Sequence, residues 1–275
     1  MLADCGGPDV RESATRPAQA QRPGADSIPN QRDDRHRPEK PGLALFSMPI
    51  EAPAPRIFLL SPAHCGGKRA KLLLGGGGRF ALARQLQEGG TIPLDEAFTF
   101  LSGLYFRGKL AYARRFARPP AGVLGVQVIT TNRGLLSAEK PVTAEELQVF
   151  ASEVIHPLDP RYREPFIRDL MAIDRVASLG TALPEVVLLG SVATGKYVDV
   201  LLDVVGERLL FPTDFVGRGD MSRGALLLRA ARADEELAYA PVATAVRRGK
   251  RPKKLGLDHA GDDTTTRPVA PAVEG

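Results

Sequence analysis

Four short apolar runs, each giving way at once to small, hydroxylated or cationic residues, constrain the fold of this chain most. "RIFLL" (56–60) runs into "SPAHCGGKRAK", "VQVIT" (126–130) into "TNRGLL", "EVVLL" (185–189) into "GSVATGKY", and "RLLFP" (208–212) into "TDFVGRGDMSRG". Continuous apolar runs of this length, bounded by turn residues, are the pattern of strands buried on both faces. Between them, "RFALARQLQ", "PLDEAFTFLSGLYFRGKLAYARRFA", "TAEELQVFASEVI", "REPFIRDLMAIDRVA", "KYVDVLLDVV" and "SRGALLLRAARA" carry apolar residues at helical spacing, and "ELAYAP" reads as a late strand. The second of these stretches should break at Ser102-Gly103, and Thr143 with Glu146 three residues on forms a capping box. Strands alternating with helices predict an α/β fold: a single three-layer domain over about 55–245, with a mostly parallel sheet flanked by helices.

In such sheets ligands bind beyond the carboxyl ends of the strands, so the four loops define one candidate site. Glycines let backbone N–H groups approach an anion, and Lys or Arg supplies charge. The candidates for ligand or phosphate binding are Ser61, Lys68 and Arg69 in the first loop, Thr131 and Arg133 in the second, and Ser191, Thr194 and Lys196 in the third. The last loop adds Arg218, Ser222 and Arg223, with Gly217, Gly219 and Gly224 for close backbone approach. Asp220 and Asp214 are the acidic candidates for activating water, and Asp220 could instead orient an arginine through a bidentate pair or cap the following helix. "SGLYFRGKLAYARRF" interleaves aromatics with cations and contributes Tyr105, Arg107 and Lys109, a composition that suits bases and phosphates as well as it suits a core stripe with a basic outer face.

Two tempting motifs are weak. Gly190 to Lys196 imitates a phosphate loop, but Tyr197 stands where a hydroxyl should hold magnesium, which favours a simple anion-binding helix start over a nucleoside triphosphatase. His64 beside Cys65 is a poor nucleophile–base signal, because catalytic pairs are brought together by the fold. Four histidines and two cysteines, scattered, exclude a zinc site and a disulfide framework, and no metal or cofactor is expected.

The net charge of +5 is not in the amino-terminal segment, where residues 1–47 hold seven basic and seven acidic side chains. "RRGKRPKK" (247–254) concentrates six cations in eight residues, which reads as a solvated tail or a phosphate-neutralising run. Residues 1–54, rich in Pro, Gly, Asp and Arg, are expected to be a disordered tail, with Met48 an alternative start; 246–275 is expected to be a basic disordered tail. No apolar run approaches the roughly 20 residues of a membrane span and no apolar signal core opens the chain, so the expectation is a cytoplasmic protein without a membrane partner. The oligomeric state is unknown at this level.

The segments "LLSPAHCGGKRA", "SGLYFRGKLAYARRF", "VITTNRGLL" and "VVLLGS…KYVDVLL…RLLFP" resemble, in order and spacing over about 56–230, a group of uncharacterised bacterial domains. That group, with the peroxide-stress DNA-binding proteins that share "SPA" and "SGLY" segments, is similar to the uracil-DNA glycosylase fold. The glycosylase water-activating motif and catalytic histidine loop have no counterpart here, so the resemblance implies the fold more than the chemistry.

The expected function is that of a nucleotide- or nucleic-acid-binding α/β protein with an anion-binding cleft, and with a glycosidic or phosphate bond as the place for chemistry if the four loops meet in one concave basic cleft. The alternatives are a non-catalytic DNA- or RNA-binding protein using the basic tail and the aromatic-basic helix, and a small-molecule enzyme of nucleoside metabolism.

Overall fold

The computed structural model describes residues 53–180 and 182–250. Nearly all of both expected tails, with Cys5, His36, Met48, His259 and the second half of the basic run, lies outside the described residues.

The four apolar runs form the centre of a six-stranded sheet. Strand β1 (Arg56–Leu60) pairs in parallel with β3 (Val126–Ile129) and with β6 (Glu185–Leu189), and β6 pairs in parallel with β7 (Leu209–Pro212). The edges run the other way: β4 (Leu135–Ser137) is antiparallel to β3 and β8 (Tyr239–Pro241) to β7, giving the order β4-β3-β1-β6-β7-β8. The sheet is therefore mixed, parallel at its centre and antiparallel at both edges. Strand β4 lies in what the sequence presents as a polar loop. A tight turn forms it, in which the Thr130 N–H and hydroxyl both donate to the Gly134 carbonyl at 2.9 Å. A second, two-stranded sheet joins β2 (Ile92–Pro93) to β5 (Pro141–Val142).

Eight α-helices lie among the described residues: α1 (Lys68–Leu74), α2 (Ala81–Gln87), α3 (Leu94–Ser102), α4 (Leu104–Phe116), α5 (Ala144–Ser152), α6 (Pro160–Ala177), α7 (Gly195–Val205) and α8 (Asp220–Ala233). The chain breaks between α3 and α4 at Gly103, whose φ of +62° an L side chain would resist, and the Thr143–Glu146 capping box starts α5. Phe58 meets the ring of Tyr112 on α4 edge-on at 5.8 Å. Its neighbours Ile57 and Leu59 must then point to the opposite face. Both are fully buried, so the sheet is covered on both sides. Helices α4 and α8 share the most extensive helix–helix packing among the described residues. Gly108 and Gly224 allow this approach: a Cβ on Gly108 would sit 2.5 Å from the Gly224 carbonyl oxygen, and one on Gly224 would sit 2.8 Å from that of Leu104. Among the described residues no helix is long and apolar enough to cross a membrane.

Candidate functional site

Strand β1 leads to β3 on one side of it, while β6, its other neighbour, leads on to β7. The connections thus diverge between β1 and β6, which makes the crevice beyond the carboxyl ends of these two strands the place for a ligand. Ser61 follows β1 there and Gly190 follows β6, so close together that a Cβ on Gly190 would sit 2.9 Å from that of Ser61.

A cavity of about 500 Å³ opens at this point. All four strand-end loops reach it: Ser61 to Cys65 from the first, Thr131 from the second, Ser191, Lys196 and Tyr197 from the third, and Asp220 from the fourth. The α3–α4 junction adds Leu101, Ser102 and Tyr105, and the end of α5 with the segment after it adds Phe150, Glu153 and Ile155. A larger hollow, about 990 Å³, lies elsewhere among Pro55, Arg118, Pro119 and Leu183, and among the described residues has Arg118 as its one charged lining residue. The smaller cavity holds the convergent polar groups.

Two residues that line it, Tyr105 and Thr131, carry hydroxyl oxygens that are buried and, among the described residues, have no well-formed hydrogen bond. Buried polar groups are almost always paired, so these two oxygens lie in an unusual state beside the cavity. Burial pushes the Tyr105 phenol up to about 12, with the Asp220 charge adding to the rise and Arg223 opposing it. The Arg223 guanidinium acts on that pKa through its charge and through a weak hydrogen-bonding approach to the phenol, while its well-formed hydrogen bonds go to the Phe215 carbonyl.

Beneath the cavity lies Lys109, only 1% exposed. Its Nζ donates to the Ser61 carbonyl at 2.5 Å and to Ser61 Oγ at 2.9 Å, and stands 4.5 Å from the centre of the Tyr105 ring. Burial brings its pKa down to about 7, with Asp220 opposing that shift and Arg223 reinforcing it. Cys65 lines the cavity but is inert: burial raises its thiol to about 12, and Sγ donates to the Ala63 carbonyl.

Of the expected ligand residues, Ser61, Tyr105, Thr131, Ser191, Lys196 and Asp220 are brought together, with Lys109 directly behind them. The others are not. Lys68 and Arg69 belong to helix α1, not to a loop, because Ala70 and Leu73 bury a helical face; Arg69 donates to the Phe100 carbonyl at 3.2 Å, at the end of α3. Arg107 is exposed away from the cavity, Arg133 pairs with Glu146, and Thr194 is the exposed residue preceding α7. Arg218 donates to the Asp214 carbonyl and to Ser222 Oγ, which ties Arg218, Asp214 and Ser222 to one another outside the cavity.

Arg223 is a structural staple, not a ligand contact. It is buried and donates from Nε and Nη2 to the Phe215 carbonyl at 3.2 and 2.9 Å. Asp220 makes no bidentate pair with it: one oxygen lies 3.9 Å from Arg223 Nη1, and the carboxylate is largely exposed. Nor is Asp220 a cap, since Gly219 holds that place and Asp220 begins the helix. Gly224 is taken up by α4 and Gly217 by the backbone near Lys250, so neither faces a ligand. The aromatic stripe of α4 is core: Phe106 and Tyr112 are fully buried and Phe116 nearly so.

The lining is also not uniformly basic, since Lys196 stands against Glu153 and Asp220. Phe150, Glu153 and Ile155 escape a reading built on strand ends, because the approach of α5 to the cavity is a tertiary event with no local signal. Among the described residues no cluster of His, Cys, Asp or Glu is arranged to hold a metal ion. Compared with known proteins, the chain matches no family model, no curated protein and no solved structure.

Proposed function

We propose that the cavity at the carboxyl ends of β1, β3, β6 and β7 binds a single nucleotide, with its phosphate ester the place for chemistry. The observation that carries this reading is the convergence of all four strand-end loops on one cavity, lined among others by Tyr105 and Thr131, whose buried hydroxyls lack a well-formed hydrogen bond among the described residues. Its volume suits a ligand of nucleotide size. The start of α7 speaks for the phosphate end: Thr194 leaves the first-turn N–H groups without a side-chain cap, and Lys196 supplies a cation beside them. Tyr105 Oη and Thr131 Oγ1 are then the partners of the sugar or base.

The mixed charge of the lining favours a single nucleotide over a polymer, whose backbone needs a continuous basic track. A polymer-binding reading would also need exposed rings on α4, and Phe106 and Tyr112 are buried. In the basic run, Arg248 is engaged with the Ala193 carbonyl. The likeness to the uracil-DNA glycosylase fold and a cytoplasmic setting belong to the same proposal.

Melting the protein with nucleoside monophosphates, nucleosides and short oligonucleotides tests it. A ligand at 100 times its Kd stabilises by about 2.7 kcal/mol. The monophosphates should raise the midpoint and nucleosides should raise it less. Stabilisation by oligonucleotides alone would refute the reading, as would no shift with any monophosphate at millimolar concentration.

A further inference from the structure

Ser61 and Lys109 ask for an explanation beyond binding. A lysine is almost never fully buried without a counter-charge. Lys109 is, and the acidic group that acts on it, Asp220, lies at the start of α8 and forms no ion pair with it. A methionine would fill the same space among Tyr105 and Phe106 at no desolvation cost. What a lysine adds is an amine held 2.9 Å from the hydroxyl oxygen of a serine that lines the cavity at the point where the strand connections diverge.

We propose that Ser61 and Lys109 are a nucleophile and its base, which transfer a phosphoryl group from the bound nucleotide's phosphate ester to Ser61 Oγ. This rests on the nucleotide reading above. In the amine form one N–H still donates to the Ser61 carbonyl, and the 2.9 Å contact to Oγ, in which Nζ otherwise donates, reverses so that the lone pair accepts the proton of Oγ–H. Burial keeps that form accessible near neutral pH, with Arg223 helping and Asp220 opposing. The Tyr105 phenol stays protonated in this range.

In the first step Lys109 takes the Oγ proton as the Oγ–P bond forms and the bond from phosphorus to the leaving oxygen breaks. That oxygen, on the far side of phosphorus from Oγ, takes a proton from solvent in the open cavity and departs as an alcohol, while Lys109 stays an ammonium beneath Oγ. In the second step water attacks phosphorus from that same far side and releases a proton to solvent, and the O–P bond to Ser61 breaks. Ser61 Oγ regains its proton from the Lys109 ammonium as inorganic phosphate, or a phosphate monoester if the substrate was a diester, is released. Lys196 and the α7 N–H groups offset the charge that develops on the phosphoryl oxygens.

A fluorophosphonate probe tests the pair without knowledge of the natural substrate. Reaction forms an O–P bond to Ser61, breaks P–F, releases fluoride and leaves the serine proton on Lys109. Intact mass and peptide mapping should show one adduct per chain on Ser61, absent from Ser61→Ala. Lys109→Met should slow labelling by about 100-fold or more, the range of a lost general base. The rate in the unaltered protein should rise through neutral pH.

Labelling of Lys109→Met at an undiminished rate, or a flat pH profile in the unaltered protein, would overturn the assignment; the profile decides the matter even if that variant melts early. Calorimetry with nucleoside monophosphates separates the two readings. Binding without any Ser61 adduct overturns the pair and leaves the nucleotide reading standing. A Lys109-dependent adduct without binding supports the pair and overturns the nucleotide reading.

Discussion

Replacing Tyr105 by phenylalanine removes one oxygen from a side chain that is 6% exposed. That oxygen is buried and, among the described residues, makes no well-formed hydrogen bond, Arg223 approaching it only weakly. An unsatisfied buried polar group costs about 1–3 kcal/mol, so deleting it should stabilise the protein alone, by about 1 kcal/mol at the low end of that range. For a domain of this size such a gain raises the melting temperature by about 2–4 °C. The ring itself is kept, with its contacts to Lys109. With a nucleotide in the cavity the sign reverses. The phenol is neutral, because burial holds its pKa near 12, and so it has a proton to donate; losing that bond should cost about 1–1.5 kcal/mol, or about tenfold in Kd. Paired melting and titration calorimetry on Tyr105→Phe read both effects. A lower melting temperature with unchanged nucleotide affinity would refute the reasoning, since it would mean that the hydroxyl is already engaged within the fold, the nearby Arg223 being the obvious partner.

Lys196→Ala should weaken phosphate-bearing ligands by about 1–3 kcal/mol at unchanged melting temperature, because Lys196 is exposed and faces the cavity; calorimetry with a monophosphate and its nucleoside checks this. Arg223→Ala should destabilise by about 1–3 kcal/mol, because it leaves the Phe215 carbonyl without its buried partner; denaturant titration measures it, and loss of affinity at full stability would contradict the staple assignment. Gly224→Ala should cost about 1–3 kcal/mol by overpacking, since its new methyl would meet the α4 backbone at 2.8 Å; a neutral effect on the melting temperature would show that the two helices can part. The pKa of Lys109 is lowered from 10.5 to about 7, so between these values the unfolded chain binds the proton and the folded one does not. Its contribution to stability therefore rises with pH from about 7 upward and is flat below, a slope that denaturation between about pH 7 and pH 9, below the range where the tyrosines titrate, should reveal and that Lys109→Met should remove.

The α/β class, the positions of the four central strands, the break at Gly103 and the start of α5 were all legible in the sequence. They rest on local physics: continuous apolar runs, a glycine able to take positive φ, and a capping pair three residues apart. The place of the cavity was legible for a related reason, since parallel strands with helical crossovers leave their carboxyl ends on one side, and loops rich in small residues mark that side. What each side chain does there was decided by tertiary structure. Arg223 and Lys196 occupy similar sequence contexts, a cation beside a glycine near a helix start, yet one is buried against the Phe215 carbonyl and the other faces the cavity. The aromatics of α4 have a spacing that fits either a stacking surface or a core stripe, and only the docking of α8 through Gly108 and Gly224 and of the sheet through Phe58 turned them inward. Ser61 and Lys109 are 48 residues apart, and no pattern in the sequence couples them. Pairing of that kind is set by how elements pack over long sequence distances, which local spacing does not encode.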